Sequence, residues 1–186
     1  IAVNESHPDW LVELLQADWP DDWPAIVRAN NRIAPLWLRV NGVRAARAEV
    51  TDALQQQAIE FSLPEFPPGA IRLISAMAPT RLPGWDNGSI TVQDISAQLA
   101  AEALSIKPGE TVWDMCAAPG GKSAQLSEAR PAALLLTDSD PARLDKVDEL
   151  LHRLGLHNAG VMLQAWDATQ PLPDELPQCF DAILLD

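Results

Sequence analysis

The sequence has few of the residues that would mark a secreted, membrane-bound or metal-dependent protein. It contains only two cysteines, Cys116 and Cys179, so neither a disulfide nor a zinc framework is expected, and a reducing cytoplasm is the predicted location. No run of 18 apolar residues occurs and the start does not resemble a signal peptide, so no membrane partner is expected. The histidines His7, His152 and His157 lack the spacing of metal ligands, so no metal is predicted.

Basic residues are outnumbered by acidic ones, so the chain carries a formal net charge of −13. A negative charge of this size argues against general affinity for nucleic acid. The basic residues are nevertheless unevenly distributed, with five arginines and no acid between positions 28 and 47. Such a segment is either an ordinary solvated surface or a surface that faces phosphate groups. The candidate contacts are Arg28, Arg32, Arg39, Arg44 and Arg47.

Hydrophobic patterns predict two regions of different organisation. Helix and strand candidates alternate in residues 1–85, which predicts a small α+β domain, with its boundary between positions 78 and 92. The remaining segment, 86–186, is expected to be a separate domain.

A regular β-α alternation begins at Thr111 and predicts a parallel, doubly wound α/β sheet. Strands are expected at 111–115, 133–137, 160–164 and 181–185, with helices at about 121–129 and 141–153. The last strand reads as a buried one and coincides with the end of the sequence, so the chain is expected to be an internal fragment of a longer protein.

The loop after the first of these strands is the main candidate site. Gly120 and Gly121 permit close approach of a ligand, and a strand–loop–helix turn directs backbone N–H groups at the polar or anionic part of that ligand. Acids at or near the ends of the four strands favour a ligand that contains a nucleoside. These acids are Asp114, Asp138, Asp167 and Asp186.

Three classes of ligand compete for this loop. A nucleoside-triphosphate loop requires Gly five residues before Gly121, where the sequence has Cys116. A dinucleotide site requires G-x-G-x-x-G, which is absent and disfavours a dehydrogenase. S-adenosylmethionine remains, for which the loop would meet an amino acid and a nucleoside.

The nine residues from Asp114 to Lys122, D-M-C-A-A-P-G-G-K, resemble the first motif of the RNA cytosine-5 methyltransferases, the Sun/Fmu/NOL family. Flanking segments resemble the members that act on bacterial 16S rRNA, and these are residues 7–11, 29–31, 38–41, 82–85 and 92–94. The resemblance covers essentially the whole chain. It implies a class I S-adenosylmethionine-dependent methyltransferase fold, here a Rossmann-like sheet truncated after its fourth strand. It also implies that an N-terminal RNA-binding domain and the second half of the catalytic domain are missing.

The resemblance also implies roles for individual residues. The loop residues around the cofactor would be Cys116, Ala117, Ala118, Pro119, Gly120, Gly121 and Lys122. Asp138 would hold the ribose hydroxyls, and Asp186 would lie near the methionine end and the target base. Asp167 would reach the adenine amino group, although Trp166 stands where family members often have Gly.

In the family's mechanism a cysteine thiolate adds to C6 of cytosine, so that C5 can attack the sulfonium methyl group. The resemblance puts that cysteine, and a second one that helps to release the product, downstream of Asp186. Cys116 is therefore expected to bind cofactor, Cys179 to be structural, and no catalytic residue to lie in this chain.

The prediction is the cofactor-binding half of a 16S rRNA cytosine-5 methyltransferase, inactive alone and monomeric at full length, with the five arginines as RNA contacts. The alternatives are a tRNA cytosine-5 methyltransferase and a nucleoside-binding module without catalysis.

Overall fold

The structure is a computed structural model that describes residues 6–186, so the first five residues of the predicted small domain lie outside it. By compactness the chain divides into two units, Ile1–Ala34 and Pro35–Asp186. The predicted boundary between residues 85 and 86 lies inside the second unit and stays a prediction. Among the described residues, no helix is both long and apolar enough to cross a membrane.

The described part of the first unit, from residue 6 onward, contains two helices, α1 (Asp9–Asp18) and α2 (Trp23–Asn30). Pro8 immediately precedes α1 in an extended conformation, where the missing N–H of proline costs no helical hydrogen bond. Each helix buries one valine, Val12 in α1 and Val27 in α2.

The second unit begins with an antiparallel sheet and one helix, which confirms the predicted α+β arrangement. The strand order is β2-β3-β1-β4, so β1 and β3 are central. Leucine and isoleucine side chains of these strands pack against Val50 and Leu54 of the helix. The elements are β1 (Leu36–Val40), α3 (Arg47–Gln56), β2 (Phe61–Ser62), β3 (Ala70–Leu73), a 3-10 turn (Pro79–Arg81) and β4 (Ile90–Val92).

A parallel sheet with helices follows, and it confirms the predicted doubly wound α/β arrangement. Its order is β7-β6-β5-β8, with every neighbouring pair parallel. The chain leaves β5 in one direction for β6 and β7 and then returns to place β8 on its other side, so the carboxyl end of β5 is a topological switch point. The elements are α4 (Ile95–Ala103), β5 (Thr111–Asp114), α5 (Gly121–Glu128), β6 (Ala133–Asp138), α6 (Pro141–Leu154), β7 (Val161–Ala165) and β8 (Ala182–Leu184).

The antiparallel sheet is attached to the end of α6 by buried polar contacts. The Asn41 side-chain amide donates to the carbonyls of Gly88 and Leu154, both at 2.9 Å. The Arg153 guanidinium donates to the Trp85 carbonyl at 2.9 Å and lies 4.0 Å above the centre of the Trp85 ring. Gly88 has φ +73°, and a Cβ there would lie 2.4 Å from the Arg153 carbonyl oxygen, so only glycine fits this close approach.

Candidate functional site

The loop between β5 and α5 is held at the switch point by backbone hydrogen bonds to the neighbouring strands. The Met115 N–H donates to the Leu184 carbonyl at 2.9 Å, and the Ala117 N–H donates to the Thr137 carbonyl at 2.8 Å. Gly120 caps α5 with φ +102°, and a Cβ at this position would lie 3.2 Å from the Val147 Cα. The sequence therefore needs glycine at this turn, both for its conformation and for its space.

A cavity of about 200 Å³ opens beside this loop. Its wall consists of the whole loop from Cys116 to Lys122, two acids at or near strand ends, and residues from the end of β4 to the first turn of α4. The residues outside the loop are Val92, Gln93, Ala97, Asp114 and Asp186.

The cavity presents charges of both signs. The Asp114 side chain is only 2% exposed and accepts a hydrogen bond of 2.7 Å from the Ser123 hydroxyl. Burial raises the pKa of Asp114, and hydrogen bonds from Ser123 and the Cys116 N–H partly oppose that rise. In the same wall, the Lys122 ammonium forms an ion pair with Asp186, and both side chains remain partly exposed.

Two of the predicted acids do not line this cavity. Asp138 is buried and accepts from the Ala118 N–H at 3.2 Å, from the Asp140 N–H at 3.1 Å and from Arg143 at 3.3 Å. Through the Ala118 N–H, Asp138 therefore stabilises the loop between β5 and α5. Asp167 is exposed and accepts from the N–H and hydroxyl of Thr169, and these hydrogen bonds lower its pKa. The cavity wall thus contains Asp114, Asp186 and all seven predicted loop residues. Asp138 contacts the loop without lining the cavity, and Asp167 does not line it.

Gln93 is a wall residue that the sequence reasoning did not assign. It is buried, accepts from the Arg39 Nε at 2.5 Å and donates to the Gln125 side chain at 3.1 Å. These two contacts fix its amide beside Gly121, whose Cβ would lie 3.8 Å from it. The only signal was the resemblance of the segment Val92–Asp94 to the family, which had no role attached to it.

The five arginines do not share one environment. Arg28 and Arg32 are exposed in the first unit, and Arg44 is exposed in the second, where its Nε donates to the Leu154 carbonyl at 3.2 Å. Arg47 is partly buried. Arg39 is the exception, because it is 3% exposed and forms an ion pair with Glu128.

The prediction that Arg39 faces RNA is therefore wrong for this structure. Burial lowers its pKa to about 10, so the guanidinium remains charged at neutral pH inside the protein. The sequence shows the charge density of the segment, but it did not reveal that Arg39 is buried.

Two family models match this chain. The ferredoxin-like domain of RsmF/B-like methyltransferases matches residues 7–80, and the model for 16S rRNA methyltransferase RsmB/F matches residues 101–186. The chain belongs to the RsmB/F family. The predicted boundary at 85/86 falls between the two matched segments and stays a prediction.

Relatives of RsmB/F type match the chain along its whole length. It is 43% identical to ribosomal RNA small subunit methyltransferase B of Yersinia enterocolitica, of which it covers 43%. It is 39% identical to the protein of the same name from Photorhabdus laumondii, again covering 43% of that protein. The chain thus spans less than half the length of these relatives.

A solved structure of a methyltransferase homologue from Pyrococcus horikoshii has a TM-score of 0.77 at 25% identity, over 90% of this chain and 55% of that one. This similarity confirms the predicted methyltransferase fold.

Proposed function

We propose that this chain holds the cofactor-binding part of an enzyme that transfers a methyl group from S-adenosylmethionine to C5 of a cytosine in 16S rRNA. The main support is the cavity at the switch point of the parallel sheet, with the charged groups Lys122, Asp114 and Asp186 in its wall. The names of the RsmB relatives support ribosomal RNA as the substrate. We further propose that the protein acts in the cytoplasm and as a monomer.

The cavity fits the amino-acid end of the cofactor. The N–H groups at the start of α5 and the Lys122 ammonium would receive the carboxylate, because a helix N-terminus and a cation both favour an anion. The carboxylates of Asp186 and Asp114 would receive the α-ammonium group. The carboxylate and the ammonium group of the methionine part would thus each have a partner of opposite charge in the wall of the cavity.

The nucleoside end would extend beyond the cavity. A volume of about 200 Å³ is below the roughly 300–1,000 Å³ of pockets that enclose a whole ligand. Beyond it lie the ends of the neighbouring strands, where we propose that Asp138 and Asp167 contact the ribose and the adenine. Asp138 would exchange its contact with Arg143, whose side chain is 52% exposed, for a ribose hydroxyl.

When bound, the cofactor supplies an activated methyl group on its sulfonium. The residues of this chain bind and orient it, and we assign Cys116 to that binding wall rather than to attack on the base. The attacking thiolate would then come from outside these 186 residues, so the chain alone should transfer no methyl group.

The cofactor test compares Lys122→Met with Lys146→Met, a substitution at an exposed lysine of α6 that does not line the cavity. Removing a charge-assisted contact costs about 1.5–3 kcal/mol, so Lys122→Met should weaken S-adenosylmethionine binding by about 10- to 100-fold in isothermal titration calorimetry. Lys146→Met should bind as the unmodified protein does. Equal affinity in both variants would contradict the assigned site.

The substrate test maps 5-methylcytosine in the RNA of a strain from which the gene has been deleted. One modified cytosine should disappear from 16S rRNA and return with the intact gene. Loss of a modification from tRNA would favour the tRNA enzyme, and no lost modification would favour the non-catalytic module.

A further inference from the structure

A second group of polar side chains lies at the C-terminal end of α6, outside the cofactor cavity. Asp148 and His152 are one helical turn apart and therefore on the same face, and His157 lies in the connection from α6 to β7. The Asp148 Oδ1 is 3.3 Å from the His152 Nδ1 and 3.3 Å from the His157 Nε2. All three side chains offer ligand atoms within 4.8 Å of one another.

The cluster also contains ordinary hydrogen-bond partners. The two imidazole rings are stacked with centres 4.3 Å apart and an interplanar angle of 21°, and the His152 Nδ1 lies 3.0 Å from the backbone carbonyl oxygen of Asp148. Imidazole N–H groups can donate to this carbonyl and to the Asp148 carboxylate. A bound cation would replace these hydrogen bonds, because the same ring nitrogens and the carboxylate would be its ligands.

The separations fit a small transition-metal ion. Tetrahedral zinc has bonds of about 2.0–2.1 Å, which puts neighbouring ligand atoms about 3.3–3.4 Å apart. Both measured aspartate–histidine separations have that value. The two histidines are exposed, so rotation of their side chains can bring the third pair of ligand atoms within range. Imidazole nitrogen selects zinc over magnesium or calcium.

We propose that Asp148, His152 and His157 form a surface zinc site, with water completing the coordination. The ion would join the last turns of α6 to the connection that follows them. Between these ligands lies Leu154, whose carbonyl accepts hydrogen bonds from Asn41 and Arg44. Zinc would therefore stabilise the end of the helix to which the antiparallel sheet is attached.

The test titrates zinc into purified protein without a histidine tag, after removal of metal with a chelator. One zinc ion should bind per chain, and zinc at about 100 times Kd should raise Tm by about 5–10 °C. Asp148→Asn, His152→Ala and His157→Ala should each weaken binding at least tenfold. The matched controls Asp145→Asn, on the same helix, and His7→Ala should bind as the unmodified protein does.

The two exposed cysteines, Cys116 and Cys179, are the competing zinc ligands. Substitution of cobalt separates the possibilities, because only thiolate ligation produces an intense sulfur-to-cobalt charge-transfer band in the near ultraviolet. The expected spectrum lacks this band, and the Cys116→Ser/Cys179→Ser protein should retain zinc binding. No zinc binding, a thiolate band, or unchanged affinity in the three ligand variants would overturn the proposal.

Discussion

Asp114 places a carboxyl group in a nearly closed environment at the end of β5. Its side chain is 2% exposed, and its charged form depends on hydrogen bonds from the Ser123 hydroxyl and the Cys116 N–H. Burial is the larger effect and raises the pKa of Asp114 above its ordinary value. Asp114 therefore connects the loop to the strand through its carboxyl group. Ionisation of this buried group lowers the stability of the folded protein.

This cost predicts a pH-dependent effect of Asp114→Asn. A carboxyl group with a raised pKa in the folded state contributes stability that is fully present below the unfolded pKa, about 3.9, and is lost as the pH rises through the folded pKa. The free energy of unfolding of Asp114→Asn, relative to that of the unmodified protein, should therefore increase as the pH rises from the unfolded pKa to the folded pKa of Asp114. Urea titrations at a series of pH values measure this difference. A relative stability that stays constant with pH would contradict the raised pKa.

Ser123→Ala provides the contrasting variant. The Ser123 hydroxyl lowers the pKa of Asp114, so its removal should raise the pKa of Asp114 in the folded protein. The loss of stability with rising pH should then extend to higher pH. A shift to lower pH would show that the hydroxyl does not stabilise the carboxylate.

At the scale of elements, local patterns and long-range packing differ in how far the sequence predicts them. The four parallel strands lie within one or two residues of their predicted bounds, because a run of buried apolar residues between turn signals is a local property. The two-residue strand β2, Phe61–Ser62, was not predicted, since it is too short to show a period.

The environment of Arg39 in β1 was not predicted from the sequence. β1 is a central strand, and Arg39 meets Gln93 and Glu128, partners 54 and 89 residues away in the sequence. No local pattern indicates an ion pair at such separations. Arg39 was therefore grouped with the other four arginines as a predicted RNA contact.

Arg39→Met should destabilise the protein by about 3 kcal/mol, because it removes the cation beside the Glu128 carboxylate, which is 17% exposed and keeps, among the described residues, only the Gly42 N–H as a donor. The double variant Arg39→Met/Glu128→Met should lose less than the sum of the two single variants in chemical denaturation. The control Arg72→Met, at an exposed position of β3, should change the stability by less than about 0.5 kcal/mol. Weaker binding to rRNA at unchanged stability would instead support the original assignment of Arg39 as an RNA contact.

At the scale of the whole molecule, the sequence predicted an α+β unit, a parallel sheet and the family, but not how the two sheets are joined. The β-α alternation predicts a parallel sheet, because each helix brings the chain back to the starting edge and the next strand then runs in the same direction as the previous one. The loop was recognisable because Gly120 and its neighbours form a contiguous motif. The contacts of Asn41 and Arg153, in contrast, join residues 47 to 113 positions apart, and polar residues at such distances carry no periodic signal.

Asn41 is the residue through which this joint can be tested. It is fully buried, and its amide satisfies two carbonyls, that of Gly88 in the segment before β4 and that of Leu154 at the end of α6. A buried carbonyl without its donor costs about 1–3 kcal/mol, and Arg44 still donates to Leu154 after the substitution. Asn41→Ala should therefore lower the free energy of unfolding by about 2–3 kcal/mol.

The measurement is urea denaturation, with hydrogen exchange on peptides from β1 and β6 as a second readout. Peptides of both strands should lose protection together in Asn41→Ala. The Asn41 side-chain amide is hydrogen-bonded both to the segment before β4 of the antiparallel sheet and to the end of α6, and α6 packs beside the parallel sheet. The matched control is Asn87→Ala, an exposed position whose side chain accepts only a local hydrogen bond from the Ser89 N–H at 3.0 Å, and it should cost less than about 1 kcal/mol. Loss of protection in β1 alone, with β6 unchanged, would mean that the two sheets unfold independently and that the polar contacts of Asn41 do not couple them.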